Sequence, residues 1–390
     1  MRIARRYIAS EIYRSSAVVL LALIGLFSFF NLIDELDKLS ASFGLSSLLY
    51  LQALSLPTQL YELLPIGLLI GAVLALAGLA QRNELVVLRV AGVSGLQLLL
   101  SLWVITIPLM IGAFILSEYI TPRTEIQASE SSLKLLGKAG GGRLSSGYWF
   151  KENGDQDEMR LINIGRLNDK STVADITIYE FDQEQHLQEF IQAKHGYFAD
   201  KQLHLTQVQR SVINNLSLSA LENDLKPDFA LTQVETKETL AIHTDLSAER
   251  LLARILTPER MAITDLVDYI DYLDQNQLQT DRQTVALWRK IAYPFTLLVM
   301  ITIAAPISFM QTRRGGVGSK MFIGILIGVG FFMANQLALN LGMLSHWEPW
   351  VTALLPSLLA LALALIALTI IENQQRWRRK RQITASITPP

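Results

Sequence analysis

Long apolar runs lie in both terminal parts of the chain, and a polar stretch separates them. A transmembrane helix needs about 20 predominantly apolar residues, and six runs are of this kind. The second run extends back to about residue 48, where Pro57 and Pro65 are expected to kink its outer half. The pattern predicts six transmembrane helices in a 3 + 3 arrangement, at residues 15–33, 63–80, 96–117, 291–310, 321–344 and 350–371.

The polar stretch between the third and fourth apolar runs has the character of short β-strands. β-Branched and aromatic residues are frequent in the candidate strands, and turn sequences such as Asn153-Gly154 and Asn168-Asp169 separate them. Short strands at this spacing are typical of an all-β sandwich or jelly roll. We therefore predict an all-β, jelly-roll-like domain inserted between the helices, with strands at residues 148–151, 161–164, 172–182 and 202–213.

A helical pattern follows the predicted strands. One face of residues 264–275 carries Leu266, Tyr269, Ile270 and Leu273, which is the spacing of an amphipathic helix. We expect this helix to pack on the membrane surface or on the β-domain. The predicted organisation is residues 1–119 for the first three spans, 120–287 for the β-domain with its helix, and 288–390 for the last three spans and a basic tail.

Charged residues divide the chain in the same way. The whole chain has a net charge of −1, but residues 120–287 contain 17 Lys/Arg and 26 Asp/Glu, a net of −9, which leaves +8 for the rest. The short loops and tails on one side of the six spans hold 14 Lys/Arg, and the short loops on the other side hold only Lys38. Basic loops stay in the cytoplasm. We therefore predict that both termini are cytoplasmic and that residues 120–287 lie on the opposite side of the membrane.

The composition argues against several kinds of protein. The chain is 51% hydrophobic and only 18% charged, whereas soluble domains are about 25% charged, which disfavours a soluble enzyme or a nucleic-acid-binding module. The absence of cysteine rules out disulfides and thiolate chemistry. The sequence contains no phosphate-binding loop, no HExxH and no GxSxG motif. We predict no catalytic residue, no metal site and no nucleotide site, so that any ATP-driven activity requires a partner.

One short cytoplasmic loop has the features of a contact site for such a partner. The segment 81–95 reads QRNELVVLRVAGVSG, in which an asparagine can begin a helix and a glycine can end it. Glu84 and Leu88 then lie one turn apart on the same side, with Arg82 and Arg89 nearby. A short charged helix between two spans can serve as a binding surface for a soluble ATPase. The alternative is an ordinary solvated loop.

The sequence resembles the LptF/LptG family of lipopolysaccharide-export permeases. The resemblance covers the whole chain, and the order of spans, β-domain and spans agrees with it. Its most specific motifs are QRNELVV at 81–87 followed by Ala91-Gly92, LWRK at 287–290 followed by Pro294, YIDYL at 269–273, and the Asp34-x-Leu36-x-Lys38 end of the first span.

This resemblance implies a multi-pass protein of the Gram-negative inner membrane whose residues 120–287 are periplasmic. The chain would pair with an LptF-like permease, and an LptB-like ATPase dimer would bind ATP and Mg²⁺, so that this chain itself holds no cofactor. The complex would extract lipopolysaccharide and pass it to a bridge of LptC-like and LptA-like proteins. The resemblance also matches Glu84 to the acid of the family's coupling helix, which docks into a groove of the ATPase. Together with the features of the loop itself, this gives the predicted ATPase-coupling set, namely Arg82, Glu84, Leu85, Leu88 and Arg89.

A path for such a lipid needs apolar surface for acyl chains and cations for the lipid phosphates. At the outer end of the first span, Phe27 and Phe30 can supply the apolar surface, and Lys38 can supply a cation. A divalent cation that bridges Asp34, Glu35 or Asp37 to the lipid phosphates is a further hypothesis. The predicted lipid-binding set is Phe27, Phe30, Asp34, Asp37 and Lys38. For the aromatic residues, anchoring at the membrane interface is the alternative.

Two other classes of function stay open on the sequence. A membrane-anchored assembly or signalling protein would use the β-domain to bind partners without transport. An intramembrane enzyme acting on lipids has weak support in Glu62 and Glu118 near the outer ends of spans, but no nucleophile or base accompanies them. Identifying the proteins that copurify in detergent separates the three classes.

Overall fold

The computed structural model describes residues 2–36, 44–136, 148–153, 159–167, 172–199, 202–213, 232–244, 257–309, 317–345 and 347–387. A π-helical turn (Leu116–Ile120) joins the fourth helix to the fifth, and a 3-10 turn (Pro258–Arg260) precedes the sixth. The helices are α1 (Arg2–Leu36), α2 (Leu45–Gln81), α3 (Glu84–Val90), α4 (Gly95–Ile115), α5 (Thr121–Leu136), α6 (Ile263–Gln275), α7 (Asp281–Phe309), α8 (Val317–Leu344) and α9 (Pro349–Ile387).

Six helical segments are long and apolar enough to cross a membrane: α1, α2, α4 continued into α5, α7, α8 and α9. The six predicted apolar runs fall on these segments. The helices extend beyond the runs because only about 20 residues of a helix need to be apolar to cross a bilayer. In α2, Pro57 and Pro65 both lie inside one continuous helix. Membrane helices tolerate proline where neighbouring groups satisfy the backbone carbonyls that it leaves unpaired.

The helices α2 and α7 form the centre of the bundle. In their most apolar windows 78% and 67% of the residues are buried, against 11% in both α1 and α8. The central cluster includes Leu68 and Leu76 of α2 and Leu297 and Met300 of α7. The peripheral helices therefore present apolar faces that lipid or another protein must cover.

Two glycines allow α1 to approach α2 closely. Gly67 and Gly71 form a GxxxG motif. A Cβ atom added at Gly71 would overlap the backbone of Ser16, and one added at Gly67 would overlap the side chain of Leu20. Small residues at this spacing let membrane helices pack backbone against backbone and gain van der Waals contact. Close packing therefore holds α1 against α2 at this level.

The polar stretch folds into one six-stranded antiparallel sheet, in which consecutive strands are neighbours. The strands are β1 (Tyr148–Asn153), β2 (Met159–Leu167), β3 (Thr172–Phe181), β4 (Leu187–Ala199), β5 (Gln202–Ile213) and β6 (Thr232–His243). Sequence analysis predicted parts of β1 and β2 and the whole of β3 and β5, but neither β4 nor β6. Between Gln233 and His243, the part of β6 whose burial is described, only Ile242 is buried, and so few inward residues give no clear alternation in the sequence.

The sheet curls around its apolar face. Isoleucine, leucine and valine side chains from β2 to β5 form most of the buried core on this face, and Phe150 of β1 and Ile242 of β6 complete it at the two edges. At one edge Arg160 Nη1 donates a hydrogen bond to the His243 carbonyl oxygen over 2.9 Å, and the Thr244 hydroxyl donates to the Glu152 carboxylate over 2.6 Å. The first two strands therefore meet the end of the last one. All described strands pair in chain order, and the jelly-roll connectivity stays a prediction.

The predicted amphipathic helix at 264–275 corresponds to α6. Leu266 and Leu273 are its buried residues, and Leu266 belongs to a small apolar cluster that includes Met261. At the other end of α6, the Tyr272 hydroxyl donates a hydrogen bond to the carbonyl oxygen of Lys151 in β1. The helix thus contacts both the membrane helices and the sheet.

Candidate functional site

The loop between α2 and α4 contains α3, a helix of seven residues. Asn83 precedes α3 with a φ of 60°, and Gly92 follows it with a φ of 90°. Asparagine and glycine are the residues that adopt this left-handed conformation most readily. Ser94 and Gln97 then form a capping box, with reciprocal hydrogen bonds at the start of α4. Turns on both sides therefore fix the position of α3 between the two spans.

The two predicted coupling leucines lie on the inner side of α3. Leu85 is buried and Leu88 is half-buried, and both pack against the core of the helix bundle. The outer side instead carries Val87 and Val90, which are 65% and 76% exposed. Arg89 belongs to α3, but its side chain lies outside the described part of the chain. An incoming protein would therefore meet the valines before the leucines.

Arg82 links this loop to α1. Its Nη2 atom lies 2.6 Å from Glu11 Oε1, and its Nε atom lies 3.5 Å from Glu84 Oε1. Tyr7 of α1 interacts electrostatically with the side chain of Glu84. The hydrogen bond to Glu11 raises the pKa of Arg82 above its ordinary value. The coupling loop and the first helix therefore share one exposed polar cluster.

The predicted lipid-binding residues lie at the opposite end of α1. Phe27, Phe30 and Asp34 are all exposed. Their spacing of three and four residues places them along one face of the helix. Asp37 and Lys38 lie outside the described residues. The face that carries the two phenylalanines is thus open to lipid or to another protein.

A cavity of about 630 Å³ lies among α2, α7, α8 and α9, at the ends of these helices nearest the sheet. Towards the middle of the helices its walls include Ile66, Phe331 and Phe332. Towards the sheet they become polar and charged, with amide groups such as Asn335 and Asn340 between the two zones. A cavity that is apolar towards the middle of the helices and charged towards the sheet can accommodate an amphiphile, whose apolar and polar parts match the two zones.

Positive charge predominates at the polar end of this cavity. Its two acids are Glu62 and Glu259, and its four basic residues are Arg260, Arg282, Arg289 and Lys290. Two of the basic residues form ion pairs: Arg260 Nη1 lies 3.1 Å from Glu125 Oε2, and Arg282 Nη2 lies 3.8 Å from Glu259 Oε1. No ion pair engages Arg289 within the described residues. A guanidinium without a fixed partner at the wall of a cavity is suited to bind a phosphate.

Two stacked tyrosines fix the wall between α2 and α7. The rings of Tyr61 and Tyr293 lie 4.0 Å apart and nearly parallel. The Tyr293 hydroxyl donates a hydrogen bond to the carbonyl oxygen of Tyr61 over 2.5 Å. This contact joins helices whose residues are far apart in the chain, and it holds one wall of the cavity in place.

Sequence analysis did not identify the basic residues of the cavity as a site. Arg289 and Lys290 belong to the LWRK motif, but a motif alone does not show which side chains meet in space. Of the two acids considered there, Glu62 lines the cavity and Glu118 does not. The available signal was the spacing of Arg282 and Arg289, which lie seven residues apart on one face of α7. In the described part of the chain, no three His, Asp or Glu side chains converge as a metal site.

Comparison with known proteins gives a consistent result. The model of the family described as lipopolysaccharide export system permease LptF/LptG matches residues 6–370. The lipopolysaccharide export system permease protein LptG of Haemophilus influenzae is 27% identical over 359 residues, which cover 91% of this chain and 94% of that protein. LptG of Escherichia coli K12 is also 27% identical, over 90% of this chain and 94% of its own length. The chain therefore belongs to the LptF/LptG family of lipopolysaccharide export system permeases.

Proposed function

We propose that this chain is the LptG-type permease subunit of an ATP-driven transporter, which extracts lipopolysaccharide from the inner membrane and passes it to a periplasmic bridge. Family membership supports the lipopolysaccharide-export activity. The name LptG of the compared relatives, together with coverage of nearly their whole length, supports the LptG type. In this proposal the spans are arranged 3 + 3, both termini are cytoplasmic, and the sheet belongs to a periplasmic jelly-roll-like domain.

The cavity among α2, α7, α8 and α9 is the observation that carries this proposal. Lipopolysaccharide has phosphates at its membrane anchor and several acyl chains. Its phosphorylated sugars match the basic end of the cavity, where Arg289 has no fixed counter-ion among the described residues. A volume of about 630 Å³ is typical of pockets for small ligands, so the cavity accommodates part of the head group and not the whole lipid. The acyl chains would run along apolar faces such as those of Phe27 and Phe30 in α1.

The coupling loop supports a separate ATPase subunit. Val87 and Val90 expose apolar surface at a cytoplasmic turn, where a partner gains free energy by covering it. Glu84 and Arg82 lie beside them as charged contacts. We assign this surface to an LptB-like ATPase dimer that binds ATP and Mg²⁺, so that the permease itself needs no cofactor.

The peripheral helices support a second permease. Only 11% of the residues in the apolar windows of α1 and α8 are buried within this chain. An LptF-like subunit would cover part of these faces and enclose a lipid path between the two chains. LptC-like and LptA-like proteins would then receive the lipid from the periplasmic side.

Photocrosslinking from inside the cavity tests this function. With a photoreactive residue in place of Phe332, we expect lipopolysaccharide to crosslink to the chain in membranes that contain the full complex. Arg289→Ala should lower the crosslinked fraction about tenfold, because a lost charge-assisted contact to a phosphate is worth about 1.5–3 kcal/mol. Arg123→Ala removes an exposed arginine outside the cavity and is the matched control. Failure to crosslink lipopolysaccharide from position 332, or equal yields in the two arginine variants, would contradict the proposal.

A further inference from the structure

The chain leaves the membrane helices at the end of α4, through a leaving passage that contains Ser117 and Glu118. It returns to them at the start of α7, through a returning passage that contains Met261 and Ile263. These two passages lie against each other. Lys290, near the start of α7, is 7% exposed. Its Nζ atom donates hydrogen bonds to the carbonyl oxygen of Met261, on the returning passage, and to that of Ser117, on the leaving passage, the latter over 3.4 Å. One buried ammonium group thus joins α7 to both passages.

A second contact joins the same two passages directly. Glu118 lies in the π-helical turn, and its two carboxylate oxygens accept hydrogen bonds from the backbone N–H of Ile263 over 2.9 and 3.1 Å. Ile263 is the first residue of α6, and the preceding residue, Ala262, offers no side-chain cap. Alanine is a poor residue at this position, whereas a carboxylate at a helix N-terminus is favourable. Glu118 therefore caps a helix that begins 145 residues further along the chain.

The π-helical turn explains how Glu118 reaches this position. A π turn accommodates an additional residue in a helix, so the side chains around it point in directions that a regular α-helix does not allow. Here the turn interrupts the continuous helix from α4 to α5 at the level where the returning passage crosses it. Such turns are frequent at functional positions and seldom occur without a reason.

Further polar contacts surround this junction. The Glu125 carboxylate, which is 5% exposed, accepts a hydrogen bond from the Thr58 hydroxyl over 2.5 Å and one from Arg260 over 3.1 Å. Partial burial raises the pKa of Asp265 in the first turn of α6, and the negative charges of Asp268 and Glu118 raise it further. The carboxylate of Glu118 is thus electrostatically close to the start of α6.

The far end of α6 continues this connection to the sheet. The Tyr272 hydroxyl donates to the backbone of β1 at Lys151, and Leu266 and Leu273 lie buried on the side of α6 that faces the protein. A rigid helix of 13 residues therefore has one end held by the membrane helices and the other held by the sheet.

We propose that Glu118 and Lys290 are positioning residues that staple the two passages together, so that α6 moves with the membrane helices and sets the orientation of the sheet relative to them. Without these contacts the sheet would be connected to the membrane helices only through two segments of chain that move independently of each other. With them, a displacement of α4 or α7 is carried to β1 through α6. The consequence for transport rests on the proposed function, because an ATP-driven movement of the spans would then reposition the domain that receives the lipid.

Distance measurements between the spans and the sheet test the staple. Since the chain contains no cysteine, cysteines introduced at Ile107 of α4 and at Glu184 in the turn between β3 and β4, both exposed, can be spin-labelled specifically in the full complex. We expect a narrow distance distribution for the otherwise unchanged chain. In Glu118→Ala and in Lys290→Met the distribution should become roughly twice as wide, since each variant removes the hydrogen bonds of one of the two positioning residues that restrict local opening.

Matched controls distinguish the loss of the staple contacts from a general loss of structure. Asp268→Asn removes an exposed carboxylate from the same helix and should leave the distribution narrow. Glu118→Gln keeps one oxygen that can accept from Ile263 N–H and should give an intermediate width, and this milder variant decides the question if Glu118→Ala is not recovered as a folded protein. An unchanged distribution in Glu118→Gln together with Lys290→Met would overturn the proposal.

A transport measurement distinguishes this inference from the proposed function. In Glu118→Gln we expect the copurifying ATPase to stay at its usual amount, while delivery of lipopolysaccharide to a periplasmic acceptor falls several-fold. A broadened distance distribution together with undiminished delivery of lipopolysaccharide would refute the role of the staple in transport. If the unsubstituted complex delivers no lipopolysaccharide, the proposed function fails, whereas the distance result still decides whether the staple exists.

Discussion

The two ends of the membrane helices are held in different ways. Near the sheet, Lys290 and Glu125 are 7% and 5% exposed and are hydrogen-bonded to distant segments of the chain. At the coupling end, the contact between Arg82 and Glu11 is short, at 2.6 Å, but the two side chains are 49% and 29% exposed. Water and salt screen an exposed pair, whereas a buried polar group that loses its partner is not rehydrated. The contacts near the sheet therefore contribute more to stability than the shorter contact at the coupling end.

This difference suggests a division of roles. The junction near the sheet is completed by the chain itself, so substitutions there should reduce its stability. The coupling end leaves Val87 and Val90 uncovered, and its position depends on the packing of α1 on α2 more than on its ion pairs. Substitutions of charged residues there should affect association with a partner more than stability.

Separating α1 from α2 should have the largest effect. In Gly71→Val the new side chain would overlap the backbone of Ser16, so that one of the helices must shift. Overpacking of this kind costs typically 1–3 kcal/mol and occasionally more. Because the obstacle is backbone, we expect a loss of about 3 kcal/mol in the free energy of unfolding, measured by denaturant titration in detergent micelles.

The control for this variant is Gly25→Val in α1. An added Cβ at Gly25 meets no atom within 4 Å, so the substitution changes the same residue type without overlap. We expect it to leave the free energy of unfolding nearly unchanged. Equal losses in the two variants would mean that the close approach of α1 and α2 does not hold the coupling end.

The buried polar bonds near the sheet should have the next largest effect. Glu125→Ala removes the acceptor of the hydrogen bonds from Thr58 and Arg260. A hydrogen bond to a charged group contributes about 1.5–3 kcal/mol, but the Arg260 side chain is 43% exposed and regains water when the pair is broken. We therefore expect a loss of about 2 kcal/mol in the free energy of unfolding, measured in the same titration.

A neighbouring substitution controls for the change in helix composition. Gln127→Ala alters an exposed residue of the same helix, α5, and should change stability by less than about 0.5 kcal/mol. Suppose that Glu125→Ala lowered the free energy of unfolding no more than Gln127→Ala. The buried hydrogen bonds near the sheet would then contribute no more to stability than the exposed cluster at the coupling end. The contrast between the two ends would then disappear.

The same contrast determines what could be predicted from the sequence. The six spans were predictable because a bilayer requires long apolar runs, and each run is local in the chain. The cavity was not, because Arg260, Arg289 and Glu62 approach one another only after α2 and α7 pack together. The cap that Glu118 provides for Ile263 has the same origin, since a contact across 145 residues leaves no pattern in the sequence.

The strands illustrate an intermediate case. β3 was predicted because β-branched and aromatic residues are frequent in it, and Ile176 and Ile178 of this strand are buried in the sheet. β4 was missed, although Ile191 and Ala193 are buried and alternate with exposed residues, because Ile191 is the only β-branched residue of this strand. In the coupling loop the sequence predicted a short helix, but it did not distinguish Leu85, which faces inward, from Val87, which faces outward.

The smallest effect on stability should come from the coupling end. Glu84→Ala removes an acidic neighbour of Tyr7 and one ion-pair partner of Arg82, but Tyr7 and Arg82 are exposed and are rehydrated when the contact is lost. We expect no measurable change in the melting temperature of the purified chain. The amount of ATPase that copurifies with the complex should nevertheless fall several-fold, because Glu84 lies beside the exposed valines of α3.

Gln81→Ala provides the comparison for this last variant, because Gln81 is an exposed polar residue at the end of α2 and immediately precedes the coupling loop. It should change neither the melting temperature nor the amount of copurifying ATPase. A lower melting temperature in Glu84→Ala would indicate that the exposed cluster stabilises the fold, contrary to its screening by water. An unchanged amount of ATPase would indicate that the partner binds elsewhere. Only the combination of unchanged stability and weakened association agrees with a coupling end that its partner completes.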